Sequence, residues 1–252
     1  VGTKLFRISA LASAIALAAG PGIAAAALAR PGEDLTWRAA TSGPGEARAP
    51  QAEGPPALTA AEFARRLQAR YDAITDFSAD FVQTYRGGVL RKTTTESGTV
   101  AIKKPGRMRW TYTRPEDKLF VADGRKMYIY VPADRQVIVR DMPAGDEAAI
   151  PVLFLVGKGQ LARDFEAAYA DVPGAPAGSV ALKLTPRTPQ RDYESITLVV
   201  EARTLQLRML VARDSQGGTS TFTFRNLKEN VGLPDKMFSF VIPRGADVIT
   251  EG

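Results

Sequence analysis

The chain has 252 residues with no cysteine and no histidine, and 33 Lys and Arg stand against 27 Asp and Glu. That excludes a disulfide framework, a thiolate nucleophile, a Ser/His/Asp triad and the commonest metal ligands, so the expectation is a protein without cofactor, metal or catalysis. The 45% hydrophobic and 24% charged content is that of an ordinary soluble globular protein, long enough for one large β domain or two small ones.

Lys4 and Arg7 precede an apolar run from Ile8 to Ala19, and Ala27-Leu28-Ala29 follows as a small-x-small site. These features predict a secretory signal peptide over residues 1–29, cleaved near Ala29. Its apolar core is shorter than the ~20 residues that span a bilayer, although extension through Gly-Pro-Gly gives an uncleaved anchor as the rival reading. Loss of Lys4 and Arg7 lowers the formal charge from +6 to +4. An exported chain of mild charge is not expected to bind nucleic acid. Without a Cys it has no site for lipid anchoring at the new N-terminus, so the expected product is free in solution.

Residues 30–57 are rich in Pro, Gly, Ala and small polar residues, with Trp37 as their only aromatic side chain. Such a segment cannot bury enough apolar area to offset chain entropy and reads as a disordered linker. One domain is assigned to residues 58–252. It opens with Thr59 and Glu62 at capping-box spacing, followed by Phe63, Leu67, Tyr71 and Ile74 on one face of a helix of about four turns.

From Phe77 the period changes to two. Strand patterns cover 77–85, 97–103, 107–113, 118–122, 126–131 and 136–141, then 180–185, 193–200, 206–214, 219–226 and 237–242. Pro105-Gly106 and Asp123-Gly124 supply turns. Strands at this spacing predict a mainly β fold of the α+β type, a large antiparallel sheet that is curved or nearly closed. Ile150 to Val156 interrupts the alternation with an apolar run holding Val152, Leu153, Phe154 and Leu155. It fits either a core segment or a helical lid over a cavity, with Pro151 in its first turn and Gly157 as its stop.

Within this order lie Asp76-Phe-Ser-Ala-Asp-Phe-Val-Gln-Thr84, then Gly98 to Trp110 with Lys104-Pro105-Gly106 at its middle, and Tyr112-Thr-Arg-Pro115. Val121-Ala-Asp-Gly124, Tyr128-Ile-Tyr-Val-Pro132 and Phe238 to Ile249 complete the set. The chain thereby resembles the LolA family, periplasmic carriers of outer-membrane lipoproteins, over nearly all of 58–249. The resemblance implies an unclosed antiparallel β-barrel covered by helices and enclosing an apolar cavity for acyl chains. It implies a monomer in the periplasm whose partners are acylated lipoproteins, a lipoprotein-releasing ABC transporter of the inner membrane and a LolB-like outer-membrane receptor. A LolA-like carrier or sensor of another envelope lipid is the alternative. Three long acyl chains hold on the order of 40 CH₂ groups, and at ~0.8 kcal/mol each their exposure to water costs ~30 kcal/mol. Acylated cargo of this kind therefore does not cross an aqueous compartment unaided.

Alternation on the 107–113 strand puts Met108, Trp110 and Tyr112 on one face and Arg107, Arg109 and Thr111 on the other. The first three, with Phe81 and Phe120, are the expected cavity wall; a closed, side-chain-filled core is the other reading. Under the lid reading Val152, Leu153, Phe154 and Leu155 face the cavity. The family carries a basic residue just before the Pro ahead of the Trp strand, associated with hand-over of cargo. Lys104 holds that position here, where Arg is common, and lacks the planar fork of a guanidinium. Arg107 and Arg109 are the alternatives for the role, and a solvated strand face is the bland reading of the whole cluster.

Overall fold

The computed structural model describes residues 58–88, 92–142, 160–190 and 193–251, and the statements below concern these residues. The expected signal peptide, the linker, and Val152, Leu153, Phe154 and Leu155 lie outside them.

The first element is helix α1 (Ala60–Asp72). Its start is set by the capping box: the Glu62 amide donates to the Thr59 hydroxyl, and the Thr59 amide donates to the Glu62 carboxylate at 2.8 Å. The carboxylate is held below the usual range by the Thr59 hydrogen bonds. A helix of this length is marginal in water by itself. It is fixed by burying Phe63, Ala64, Leu67 and Tyr71 against the sheet, which contributes about 1.5–3 kcal/mol for each large side chain.

Six strands follow as an antiparallel meander: β1 (Asp76–Arg86), β2 (Thr93–Lys103), β3 (Arg107–Arg114), β4 (Lys118–Asp123), β5 (Lys126–Val131) and β6 (Gln136–Asp141). A second meander holds the short helix α2 (Leu161–Asp164), β7 (Phe165–Tyr169), β8 (Ser179–Pro186), β9 (Ser195–Glu201), β10 (Leu207–Arg213) and β11 (Thr219–Glu229). Antiparallel pairing of β1 with β11 joins the two. The last strand, β12 (Asp247–Glu251), runs parallel to β6. The described residues thus form one twelve-stranded sheet ordered β12-β6-β5-β4-β3-β2-β1-β11-β10-β9-β8-β7, with β12 and β7 as its free edges. The sheet is unclosed.

One apolar cluster joins Met127 of β5, Met108 and Trp110 of β3, Phe81 of β1, Phe222 of β11 and Leu184 of β8 to the apolar face of α1. Side chains from strands this far apart in the order meet only because the sheet is strongly curved, with this face concave. At the β1–β11 seam the register shifts between Ser78 and Asp80, and Asn226 takes a positive φ of 52° in that bulge while its side-chain amide donates to the Asp80 carboxylate at 2.7 Å.

Residues 230–246 follow β11 across the opposite, convex face. Asp76 is buried and its carboxylate accepts the amides of Val231, Gly232 and Leu233. Leu233 and Phe238 then pack with Ala101, and the Phe240 ring lies 5.3 Å from Tyr128 and 5.9 Å from Tyr130. This strap leads the chain from β2 across β3, β4 and β5 to the edge beside β6.

The expected helix and most expected strands are present within a few residues of their predicted limits. Residues 237–242 are a correction. Instead of a strand, a 3₁₀ turn (Asp235–Phe238) starts after Pro234, and Phe238 is buried on the sheet's convex face rather than alongside a strand. Strands β7 and β12 were not anticipated from the pattern.

Candidate functional site

The register assigns the faces. Ile102 pairs with Met108, Val100 with Trp110 and Gly98 with Tyr112 across β2 and β3; Trp110 also pairs with Phe120 and Met108 with Ala122 across β3 and β4. Gly98 also faces Phe81 on β1. A Cβ at Gly98 would lie 1.9 Å from the Thr111 carbonyl oxygen, so any side chain there would force the β2–β3 backbone apart. Phe81, Met108, Trp110, Tyr112 and Phe120 therefore share the concave face, and all five are buried. Phe81 meets Trp110 and Tyr112 edge-on at 4.9 Å each, and Trp110 meets Phe222 at 5.4 Å and Phe224 at 6.3 Å. Sequence reasoning missed Phe222 and Phe224, although their alternation on β11 carries the same signal. The rings form a contiguous aromatic cluster within the same apolar core as the buried face of α1.

Polar groups close one end of this face. The Tyr112 hydroxyl donates to Gln83 at 2.9 Å, and both groups are buried. Lys118 forms an ion pair with Glu96 and lies over the Tyr112 ring, 4.5 Å from its centroid. Burial, followed by the nearby Glu96 carboxylate, holds the Tyr112 phenol well above its ordinary pKa, so it stays a neutral donor.

The three basic residues singled out for hand-over are divided. Lys104 sits in the turn between β2 and β3, where Gly106 supplies a positive φ of 70°. Its ammonium donates to the backbone carbonyl of Tyr71, and the Lys104 amide donates to the Thr75 carbonyl at 2.8 Å. The residue thus fastens the turn to the last turn of α1, where a cation complements the helix dipole. Burial lowers the Lys104 pKa, against the opposing pull of Asp72.

Arg107 and Arg109 project from the convex face, opposite Trp110. Arg107 pairs with Asp235 at 2.8 Å, and the Arg109 guanidinium donates to the Met237 carbonyl at 3.1 Å. Lys103 on the same face reaches Asp235 at 2.6 Å and the Leu233 carbonyl at 2.7 Å. These cations hold the strap, so the bland reading of a merely solvated strand face is corrected for them. Beside the strap a groove of about 830 Å³ lies between β11, β1, β2 and β3, bordered by Asp80, Thr99, Arg109, Thr111, Lys228 and Met237.

Residues 72–241 match the family model described as outer membrane lipoprotein carrier protein LolA. A protein of Cupriavidus pinatubonensis described as outer-membrane lipoprotein carrier protein is 31% identical over 202 residues, covering 78% of this chain and 91% of the relative. One of the same description from Ralstonia nicotianae is 32% identical over 191 residues, with 74% and 86% covered. A solved structure of a LolA superfamily protein from Nitrosomonas europaea aligns with TM-score 0.41 and 14% identity, over 73% of this chain and 99% of that one. The chain belongs to the LolA family of outer-membrane lipoprotein carrier proteins.

Proposed function

We propose that the protein is a periplasmic carrier that takes up the acyl chains of lipoproteins released from the inner membrane and delivers them towards the outer membrane, without catalysing a reaction. The observation that carries this reading is the continuous apolar concave face under α1, lined by Phe81, Met108, Trp110, Tyr112 and Phe120, in a chain of this family. Alkyl chains need apolar area and little directional bonding, and this face offers rings and a thioether in place of convergent polar groups. Because the rings are in contact with one another, entry of a chain requires α1 to move away from the sheet. Lys104, joined to the end of α1, is the residue proposed to control that movement and hence hand-over; Arg107 and Arg109 stabilise the strap instead.

The proposed organisation is a signal peptide over 1–29, a linker over 30–57 and the carrier domain over 58–252. Val152, Leu153, Phe154 and Leu155 are proposed as a lid segment over the acyl-chain site. The proposed partners are an inner-membrane releasing transporter, the acylated lipoproteins themselves and an outer-membrane receptor.

Native mass spectrometry of the protein purified from its own periplasm tests the proposal. The expected result is a mass increment equal to an acylated protein. An increment of a few hundred daltons would replace it with carriage of a free envelope lipid. An empty protein that also fails to bind a fluorescent fatty acid would overturn it.

A further inference from the structure

Among the buried side chains on the concave face, Trp110 has an unmet requirement. It is 1% exposed, and its indole Nε1 has no hydrogen-bond acceptor among the described residues. Buried indole N–H groups usually find a partner, because an unpaired donor in an apolar interior loses its hydration without replacement. The rings around it provide none: Phe81, Phe222 and Phe224 pack against the indole and carry no acceptor. The donor lies in the middle of the face, on β3 between Met108 and Tyr112.

We infer that the Trp110 indole N–H is the carbonyl-binding group of the interior, donating to the ester or amide carbonyl through which a bound acyl chain is joined to its carrier molecule. An acyl chain is apolar along its length and has one acceptor at its head, so a site for it needs apolar walls and one donor. The concave face provides both. The inference rests on the carrier reading and adds selectivity to it: an acyl group is preferred over an alkyl chain of equal length that lacks the carbonyl. Hydrophobic contact alone makes no such distinction, because the two chains present almost the same apolar area.

The test compares binding of dipalmitoylglycerol with that of dihexadecylglycerol, its ether analogue, each delivered from cyclodextrin to the wild-type protein and to the Trp110→Phe variant. Wild type is expected to prefer the ester about fivefold, the effect of one hydrogen bond, and the ratio is expected to fall towards one in the variant. A variant that keeps the wild-type ratio overturns the inference. A second measurement avoids dependence on the variant's folding. The chain has two tryptophans, Trp37 and Trp110, so in a Trp37→Phe background the single indole N–H resonance belongs to Trp110. It is expected to move downfield with the ester and not with the ether; equal movement with both overturns the inference. If wild type binds neither probe, the carrier reading itself fails along with it.

Discussion

The Lys104 ammonium donates to the backbone carbonyl of Tyr71, so the turn between β2 and β3 is fastened directly to the last turn of the helix that covers the concave face. A hydrogen bond from a charged donor contributes about 1.5–3 kcal/mol, and burial of the cation offsets part of that gain. Lys104→Ala is therefore expected to lower stability by about 1 kcal/mol and to speed hydrogen exchange along Ala60–Asp72 more than in the sheet. Unchanged exchange of α1 would remove Lys104 from any part in holding the helix.

Burial also sets a pH dependence. The Lys104 pKa in the folded protein lies below its unfolded value of about 10.5 because desolvation disfavours the charged form. The folded state thus binds this proton less tightly than the unfolded chain, and the residue's contribution to stability rises as pH climbs through the folded value towards the unfolded one. The stability difference between wild type and Lys104→Ala should widen as the pH rises towards about 10.5 in urea titrations. A difference that narrows over this range contradicts the assignment.

Asp235 has the opposite sign. Its carboxylate is held below the ordinary range, first by the hydrogen bond from Lys103 and then, after the opposing effect of desolvation, by the charge of Arg107. The stabilisation is fully present above the unfolded carboxylate pKa of about 4 and is lost as the pH falls through the lowered folded value. Asp235→Asn should be less stable than wild type at neutral pH, and the gap should close in acid below about pH 4. The same gap at pH 7 and pH 3 would mean that the pairing with Lys103 and Arg107 does not hold the strap.

Most of this architecture was legible because local chemistry and tertiary role agree. Thr59 and Glu62 mark the start of α1 and do cap it. Alternation on β3 separates Trp110 from Arg109, and the two do lie on opposite faces. What was missed depends on partners distant in sequence. The alternation of Phe238 and Phe240 resembles a strand, yet both cross the convex face of a sheet whose strands come much earlier in the chain. Pairing of β12 with β6 is parallel and brings together Val248 and Val137, which no turn signal connects. β7 is short, lies at an edge and leaves Tyr169 half exposed, so it lacks the buried alternation that identifies the central strands. The two roles within the basic cluster could not be separated by charge alone: Lys104 and Arg107 are three residues apart, but one meets α1 and the other meets Asp235.

Asp76 carries the strap's first attachment. Its buried carboxylate accepts the amides of Val231 at 2.8 Å, Gly232 at 3.1 Å and Leu233 at 3.4 Å. The Asn230 amide meanwhile donates to the Asp76 carbonyl at 2.8 Å. Truncation leaves several amides without their acceptor, and each buried unpaired donor costs about 1–3 kcal/mol. Asp76→Ala should therefore destabilise the protein by about 2–4 kcal/mol, while Asp76→Asn, which keeps one acceptor oxygen, should cost less. Hydrogen exchange locates the effect: protection should fall first at residues 231–238 and along β12, with α1 and the Trp110 strand retaining theirs. If β12 stayed protected in Asp76→Ala while α1 opened, the carboxylate would be bracing the concave side of the sheet rather than anchoring the strap on its convex side.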